Sequence, residues 1–190
     1  MWIASELDLA IEREDIGGSF GGNDTQEYLA MNPNGRIPTL IDGDEIIWES
    51  NTIVRYLAEK TGKYPWYPKN LAARGRANQW MDFYLTNMHT PMTVIFWQLI
   101  RTIPEKRDAS AFEKAVLDAS KFWKIIDDTL ADRPYLAGNS PDMGDVPLGC
   151  SAYRWNTMNF DKPDLPNVTA YFERLSARKA YQKNVMIPLT

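Results

Sequence analysis

Residues 32–40 read Asn-Pro-Asn-Gly-Arg-Ile-Pro-Thr-Leu, and residues 48–51 read Trp-Glu-Ser-Asn at the predicted start of a helix. Pro38 stands at the second position of a predicted strand, where it removes a hydrogen-bond donor from the ladder. A cis Ile37–Pro38 peptide bond would turn the backbone of Ile37 outward. The N–H and C=O of Ile37 could then pair with an extended peptide ligand.

Glu49 and Ser50 complete this motif at the predicted helix start. The free N–H groups and the positive dipole end of a helix favour a carboxylate there. The Ser50 hydroxyl can donate to that anion, and Glu49 can hold an ammonium group. Alone, Pro38 is typical of an edge strand and Glu49-Ser50 of an ordinary helix cap. Their spacing across a hairpin favours a site for a short peptide with a free amino-acid head.

Around this motif, the patterns predict a mixed α/β first part. A hairpin is predicted around Asp42-Gly43, because this dipeptide lies between two β-rich runs. Helices are predicted where apolar residues recur at helical spacing after a capping residue. The predicted strands are Ile11–Ile16, Ile37–Ile41 and Glu45–Trp48; the predicted helices are Trp2–Leu9, one capped by Asp24 with Glu27, and one capped by Ser50 that ends at Gly62.

Charge divides the chain into two parts. Residues 1–70 hold 6 Lys and Arg against 12 Asp and Glu, whereas residues 71–190 hold 15 against 13. The division falls at an aromatic segment that contains Pro65 and Pro68, which forbid a continuous helix. The sequence therefore predicts a first domain over residues 1–62, a linker over 63–70 and an all-α domain over 71–190. In the second domain a long helix is predicted from Leu71 to about Arg101. Later helix starts are predicted at Ser110 with Glu113, at Asp142 with Asp145, and at Pro166.

Composition excludes several classes of protein. The 190-residue chain has a net charge of −4, which argues against a general nucleic-acid binder. One cysteine, Cys150, and one histidine, His89, exclude a disulfide framework, a cysteine zinc site and a histidine-rich metal site. No apolar stretch is long enough to cross a membrane, and the acidic start does not resemble a signal peptide. We therefore expect a cytoplasmic protein without a metal.

At residues 32–40 and at Glu49-Ser50 the sequence resembles the glutathione transferase family. Residues 135–138 and 142–145 likewise resemble that family's capping box, and the resemblance covers nearly the whole chain. It is nearest to bacterial theta- or beta-like members. The resemblance implies a thioredoxin-like domain followed by a helical bundle, a homodimer, and detoxification by conjugation of glutathione to small hydrophobic electrophiles. Ile37 and Pro38 would then align the cysteinyl part of glutathione, and Glu49 and Ser50 its γ-glutamyl end.

The sequence departs from the family at its N-terminus. The family's first strand, which lies between the equivalents of the Ile11 and Ile37 strands, is absent, so we expect a truncated thioredoxin-like domain. The Ser, Tyr or Cys that holds the glutathione sulfur is expected to precede Met1. Ser5 is the first hydroxyl of the chain, but it lies within a predicted helix and is not expected to replace that residue. The alternative is a non-catalytic, glutathione-transferase-like binding module.

Other candidate residues have a structural as well as a functional interpretation. Phe83, Trp97 and Tyr153 are candidates for the electrophile pocket, although aromatic residues at helical spacing usually belong to a core. Arg74 and Arg76 could meet Glu49 and Glu59 of a second copy, or could lie on a solvated face. Buried packing is favoured for Cys150, and a capping or surface position for His89.

Overall fold

A two-stranded antiparallel hairpin and three helices form the N-terminal part, in a computed structural model that describes residues 1–190. Thr39 pairs with Trp48 and Asp42 with Glu45, so the hairpin loop is Gly43-Asp44, one residue later than predicted. The left-handed Gly62 ends the third helix, as predicted. The elements are α1 (Trp2–Glu6), α2 (Gln26–Met31), β1 (Thr39–Asp42), β2 (Glu45–Trp48) and α3 (Ser50–Thr61).

The strand predicted at Ile11–Ile16 does not form, and this prediction is wrong. The segment lies outside any helix or strand, and its backbone makes no hydrogen bond to another backbone group. Four charged residues occupy positions 12–15, all of them exposed, which leaves little apolar surface to bury. Strands β1 and β2 pair only with each other, so the second edge of each strand forms no ladder with another strand of the chain.

Three predicted capping residues are displaced by one or two positions. Thr25, rather than Asp24, accepts the N–H of Tyr28 at the start of α2. Helix α6 (Ala109–Leu130) is capped by Asp108 rather than Ser110. Helix α3 has Glu49 as its N-terminal flanking residue, so Ser50 is the first helical residue. Neighbouring residues of the same capping type compete for the position, and the point at which the backbone leaves the extended region decides between them.

The C-terminal part is entirely helical, as predicted. The helix predicted from Leu71 to Arg101 forms. Two π-helical turns, at Tyr84–Met88 and Trp97–Arg101, interrupt its α-helical hydrogen bonding. None of the helices is both long and apolar enough to cross a membrane. The remaining elements are α4 (Leu71–Phe83), α5 (His89–Phe96), α7 (Asp145–Thr157), α8 (Pro166–Ser176) and α9 (Lys179–Asn184).

The two parts share one hydrophobic core. Trp2 of α1 lies edge-on to Tyr181 of α9, with ring centroids 4.9 Å apart. Gly149 of α7 is required at this contact, because a Cβ there would lie 2.8 Å from the Trp2 ring. On the other side, the side-chain amide of Asn51 in α3 donates to the carbonyl of Met81 in α4 over 3.0 Å. These contacts hold α1 and α3 of the N-terminal part against the C-terminal helices.

One bond of the predicted capping box is present, from the Asp142 N–H to the Asp145 carboxylate, but α7 begins at Asp145 with Gly144 as its flanking residue rather than at Asp142. The fully buried Asp145 carboxylate accepts the N–H of Asp142 at 2.9 Å, the N–H of Leu136 at 3.1 Å and the Tyr171 hydroxyl at 3.0 Å. Burial raises the pKa of Asp145 to about 6. Burial and the neighbouring Asp145 charge raise the pKa of Asp142 to about 7. Asp142 accepts only one backbone N–H, whereas Asp145 accepts three hydrogen bonds. Because such bonds stabilise the ionised form, a single proton on this pair resides mainly on Asp142.

Candidate functional site

The open end of the hairpin brings the predicted peptide-binding residues together. Thr39 is paired with Trp48, so Pro38 and Glu49 are the next residues on two adjacent strands. Neighbouring strands are about 4.8 Å apart, which places Glu49 and the start of α3 beside the Ile37–Pro38 bond. All four predicted residues, Ile37, Pro38, Glu49 and Ser50, have exposed side chains. They form one surface that a ligand can reach.

Ile37 offers unpaired backbone groups on this surface. The Ile37–Pro38 peptide bond is cis, as the sequence analysis predicted. Neither the N–H nor the C=O of Ile37 is hydrogen-bonded to another backbone group. An extended peptide that lies along Ile37 can therefore form strand-like hydrogen bonds without displacing an existing one.

A buried polar network beneath the loop holds Ile37 in place. The Asn32 side chain, only 2% exposed, donates to the carbonyl of Arg36 over 2.6 Å and to the Thr39 hydroxyl over 3.2 Å. The Tyr28 hydroxyl donates to the same Arg36 carbonyl over 2.8 Å and lies 2.9 Å from the Thr39 hydroxyl. Sequence reasoning missed Tyr28. Tyr28 lies four residues before Asn32, so the two side chains share one face of a helix. This spacing is the signal in the sequence that Tyr28 could join Asn32 in a polar network, because a buried tyrosine hydroxyl needs a partner.

Glu49 has an unusual backbone conformation. Its φ of 72° and ψ of 116° place a non-glycine residue in a sparsely populated region. Its carbonyl accepts the N–H of Ile53 at 2.9 Å, which is the first hydrogen bond of α3. Its side chain forms no capping bond, so the carboxylate is free to meet a ligand. Such conformations persist where the surroundings impose them and are concentrated at functional sites.

The start of α3 suits an anionic group. The N–H groups in the first turn of this 12-residue helix have no partner within the helix, and the helix dipole is positive there. Ser50 is the first helical residue, so its N–H and hydroxyl lie at that end. A carboxylate at Ser50 and an ammonium group at Glu49 would lie next to each other, as in the head of an amino acid.

A cavity of about 610 Å³ adjoins Ile37 and Pro38. Its lining includes the segment from Leu9 to Ile16, the chain from Ile37 to Asp42, and the side chains of Tyr28 and Leu57. Strand β1 lines this cavity whereas β2 does not, so the unpaired edge of β1 borders it. Tyr28 and Thr39 belong to both the polar network and the lining of the cavity, so the two features adjoin each other beneath the loop.

The three aromatic candidates for an electrophile pocket have separate surroundings. The Phe83 ring lies edge-on to Phe122, with centroids 6.0 Å apart. The Tyr153 hydroxyl donates to the carbonyl of Ile187 over 2.8 Å. Trp97 is 57% exposed near the end of the long helical run. None of the three lines the cavity beside Ile37.

The two candidate interface arginines lie at the start of α4. The Arg74 guanidinium lies over the Tyr67 ring, 5.3 Å from its centroid, and Arg76 is exposed. Tyr67 in turn donates its hydroxyl to the exposed Glu59 over 2.8 Å. Arg74 therefore has a partner within the chain, whereas the Arg76 side chain extends from the surface.

The remaining reactive side chains lie away from the hairpin. The Ser5 hydroxyl accepts a hydrogen bond from Asn184 of α9 at 2.9 Å, and Ser5 does not line the cavity beside Ile37. Burial raises the pKa of the Cys150 thiol to about 11, so it carries almost no thiolate near neutral pH. His89 is exposed, with its ring edge-on to Tyr84.

Comparison with known proteins identifies this architecture. Residues 1–59 match the family model for the glutathione S-transferase N-terminal domain, and residues 109–174 match that for the C-terminal domain. The chain is 34% identical to glutathione S-transferase GstB of Escherichia coli over 97% of its own length and 90% of that protein. It is 29% identical over 85% of its length to elongation factor 1-gamma 1 of Oryza sativa, of which it covers 39%.

A solved structure shares nearly the same backbone. This is the theta class glutathione S-transferase from the citrus canker pathogen Xanthomonas axonopodis pv. citri with glutathione bound. Its TM-score is 0.96 at 41% sequence identity, and the match covers 100% of this chain and 91% of the other. The Ile37–Ser50 surface therefore belongs to a backbone that holds glutathione in a similar protein.

Proposed function

Since the chain belongs to the glutathione S-transferase family, we propose that it binds glutathione at the hairpin and transfers it to small electrophiles. The observation that carries this proposal is the juxtaposition of free Ile37 backbone groups with Glu49 and the start of α3. The protein is then a transferase with a thioredoxin-like N-terminal part, and glutathione is its co-substrate. The finer boundaries that we propose are residues 1–62 for glutathione binding, 63–70 for the linker and 71–190 for the helical domain.

Each part of glutathione has a matching group on this surface. The γ-glutamyl head carries a carboxylate for Ser50 and the α3 N-terminus, and an ammonium group for Glu49. The cysteinyl residue has an N–H and a C=O that pair with the backbone of Ile37. Pro38 fixes the loop at this point, and Tyr28 and Asn32 support it from below. The bound peptide would therefore be extended, with its thiol held at a constant place.

Transfer requires the thiolate of the bound cysteine. A free thiol has a pKa of about 8.5, so only a few per cent is ionised at pH 7. A hydrogen-bond donor directed at the sulfur lowers that pKa and raises the thiolate fraction. The thiolate then attacks the electrophilic carbon, a C–S bond forms, and the leaving group departs with its electron pair. Without such a donor, the site would bind glutathione but turn it over slowly.

Three finer features belong to the same proposal. The electrophile would be small and hydrophobic, and Phe83, Trp97 and Tyr153 remain its candidate contacts. The protein would act as a homodimer, with Arg74 and Arg76 at the interface. A detoxifying role in the cytoplasm suits an acidic chain that contains a single thiol, Cys150.

A non-catalytic binding module is the second candidate function. Ser5, the first hydroxyl of the chain, contacts Asn184 of α9 and does not line the cavity beside Ile37, so it is not placed to meet a thiol bound there. The similarity to elongation factor 1-gamma 1 also shows that this kind of sequence occurs in proteins that carry other names. In this case the Ile37–Ser50 surface would hold glutathione without turnover.

Two measurements on the same preparation distinguish these functions. Retention on glutathione-agarose tests binding, and conjugation of chlorodinitrobenzene tests transfer. We expect retention together with turnover for the transferase. Retention without turnover would support the binding module, and loss of both would overturn the assignment of the hairpin surface. Elution by free glutathione, but not by glycine at the same concentration, controls for nonspecific retention.

A further inference from the structure

Arg154 on α7 is a half-buried arginine whose guanidinium group has no acceptor in the chain. The other half-buried arginines each donate to a carboxylate, a side-chain amide or a backbone carbonyl; they are Arg55, Arg74, Arg133, Arg174 and Arg178. A guanidinium group has five N–H donors and is always charged in proteins. Donors that lose water without gaining a partner cost free energy, so Arg154 favours an acceptor from outside the chain.

A second arginine contacts the same aromatic ring as Arg154. The guanidinium carbon of Arg154 lies 4.7 Å from the centroid of the Phe96 ring, and that of Arg101 lies 5.7 Å from it. The ion pairs of the chain include neither arginine. The segments that carry these residues, 83–104 and 146–160, contain no aspartate or glutamate. Two positive charges therefore share one apolar ring without a carboxylate, an arrangement that attracts an anion.

The face of α7 that carries Arg154 lies near the cavity beside Ile37. Cys150 and Arg154 are four residues apart on this helix, so they share one face. Burial raises the pKa of Cys150, and the charges of Arg154 and Met1 oppose that rise, so both groups lie close to the thiol. Met1 also lines the cavity that adjoins Ile37.

The long helical run links Arg154 to the start of α3 as well. The Asn51 amide donates to the carbonyl of Met81 over 3.0 Å, and the Arg55 guanidinium donates to the Asn78 side chain over 2.8 Å. These bonds show that α3 and α4 run antiparallel, so the run beyond Met81 passes the N-terminal end of α3. Tyr84 lies three residues further along this run. Burial raises the pKa of Tyr84 and the Arg154 charge opposes that rise, so Arg154 lies close to this part of the run.

We propose that Arg154, together with Arg101, is a specificity-determining residue that holds a carboxylate of the electrophile. The electrophile would then combine an apolar body with an acidic group that lies against Phe96, while its reacting carbon meets the sulfur of glutathione. Arginine suits this role because its planar group forms two hydrogen bonds with a carboxylate and is more weakly hydrated than an ammonium group. The inference rests on the proposed glutathione binding at the hairpin.

The test compares two conjugates of glutathione that have the same shape and differ in charge. One carries a para-carboxybenzyl group on the sulfur, and the other carries the corresponding neutral amide, para-carbamoylbenzyl. Both already contain the C–S bond, so their binding does not depend on thiolate formation. Titration calorimetry measures the affinities of both conjugates and of glutathione. We expect the parent to bind the carboxylate about ten- to hundredfold more tightly than the amide, because a hydrogen bond between charged groups is gained.

Two variants locate the source of this preference. Arg154→Gln should lose most of the preference and Arg101→Gln part of it, because the loss falls on the carboxylate conjugate alone. Arg133→Gln is the matched control, since it removes the same charge from an arginine that pairs with Asp132 on the surface, and it should keep the full preference. Thermal unfolding curves that match the parent's confirm that the variants are folded.

The outcomes separate this inference from the proposed function. Equal affinity of the parent for the two conjugates would overturn the inference, and so would a preference that persists in Arg154→Gln. A parent that binds glutathione but neither conjugate would also overturn it and leave glutathione binding intact. If the parent binds none of the three compounds, the proposed function fails and the inference fails with it.

Discussion

At the scale of single residues, Glu49 and Ser50 differ from an ordinary helix start. The side chain of the residue before a helix commonly accepts a hydrogen bond from a free N–H of the first turn. The Glu49 side chain forms no such bond, and Glu49 has a positive φ. Ser50 is the first residue of the helix, one position after the N-cap position that the sequence predicts for it. Both side chains are therefore exposed and directed to the solvent side of the hairpin end. This arrangement leaves them available to a ligand, at a cost in backbone strain.

Replacing Ser50 with Ala should weaken glutathione binding by about 1.5–3 kcal/mol, because a hydrogen bond to a charged carboxylate is lost. Glu49→Gln should weaken it by a similar amount, since the ammonium group loses its counter-charge. Titration calorimetry measures both. Glu45→Gln is the matched control, because Glu45 is an exposed carboxylate at the far end of the same strand. Parent-like affinity in both Ser50→Ala and Glu49→Gln would disprove the assignment.

At the scale of elements, the start of α7 is held by two buried carboxyl groups. The pKa of Asp142 is raised to about 7 in the folded protein, while the same group in an unfolded chain titrates near 3.9. The folded state thus holds a proton that the unfolded state loses from about pH 4 upward. The stability contributed by this proton is present at low pH and is lost as the pH rises through 7.

Asp142→Asn should remove this contribution, because an amide carries no titrating proton and can still accept the Gly144 N–H. We compare the free energy of unfolding of the variant with that of the parent. As the pH is raised from 5.5 to 8.5, we expect this difference to shift in favour of the variant by about 2 kcal/mol. Urea unfolding at several pH values measures the difference. Asp132→Asn, at an exposed carboxyl, serves as the control and should give a constant difference over the same range. A constant difference for Asp142→Asn as well would show that Asp142 is ionised throughout.

The elements also show which features the sequence could predict. Local patterns were sufficient for the hairpin, the end of α3 at Gly62 and the reach of Asp145 back to Asp142, because each depends on residues close in sequence. The predicted strand at Ile11–Ile16 failed because a strand depends on a neighbour, which residue patterns alone do not reveal. Tyr28 was missed for a related reason: its role depends on the fold of the loop that follows it.

At the scale of the whole molecule, residues far apart in sequence join the two parts. Glu6 of α1 receives two hydrogen bonds from Arg178, at 2.7 and 2.6 Å, across 172 positions of sequence. The Trp2 indole also donates to the same carboxylate over 2.9 Å. The Glu6 side chain is only 9% exposed, so this pair is largely shielded from water. No pattern in the sequence predicts such a pair.

Glu6→Gln should lower the free energy of unfolding by about 1.5–3 kcal/mol, because Arg178 would lose its charged partner in a largely buried place. Urea unfolding, followed by tryptophan fluorescence and by circular dichroism, measures the loss. Asp128→Asn, which removes an exposed ion pair with Lys124, is the matched control and should cost no more than about 0.5 kcal/mol. Equal effects of the two substitutions would show that the Glu6 pair contributes no more than a surface contact.

The distribution of charge favours the proposed homodimer. Residues 1–70 have a net charge of −6 and residues 71–190 a net charge of +2. A two-fold arrangement that sets the first part of one copy against the second part of the other brings these charges together twice. Arg74 and Arg76 lie at the start of α4, and the exposed Glu49 and Glu59 are their candidate partners in the second copy. Exposed pairs contribute about 0.2–1 kcal/mol each, so apolar contacts must supply most of the affinity.

We therefore expect a dimer that survives moderate salt, and a shift toward monomers when Arg74 and Arg76 are both replaced with Glu. Light scattering at micromolar concentration should give twice the chain mass of 21.8 kDa for the parent and a lower average for the variant. Lys121→Glu with Lys124→Glu on α6 makes the same change in net charge and should leave the dimer intact. A parent mass of one chain would contradict the dimer itself. A dimer that persists in the arginine variant would contradict only the role of these two residues, and the interface would then rest on apolar contacts alone.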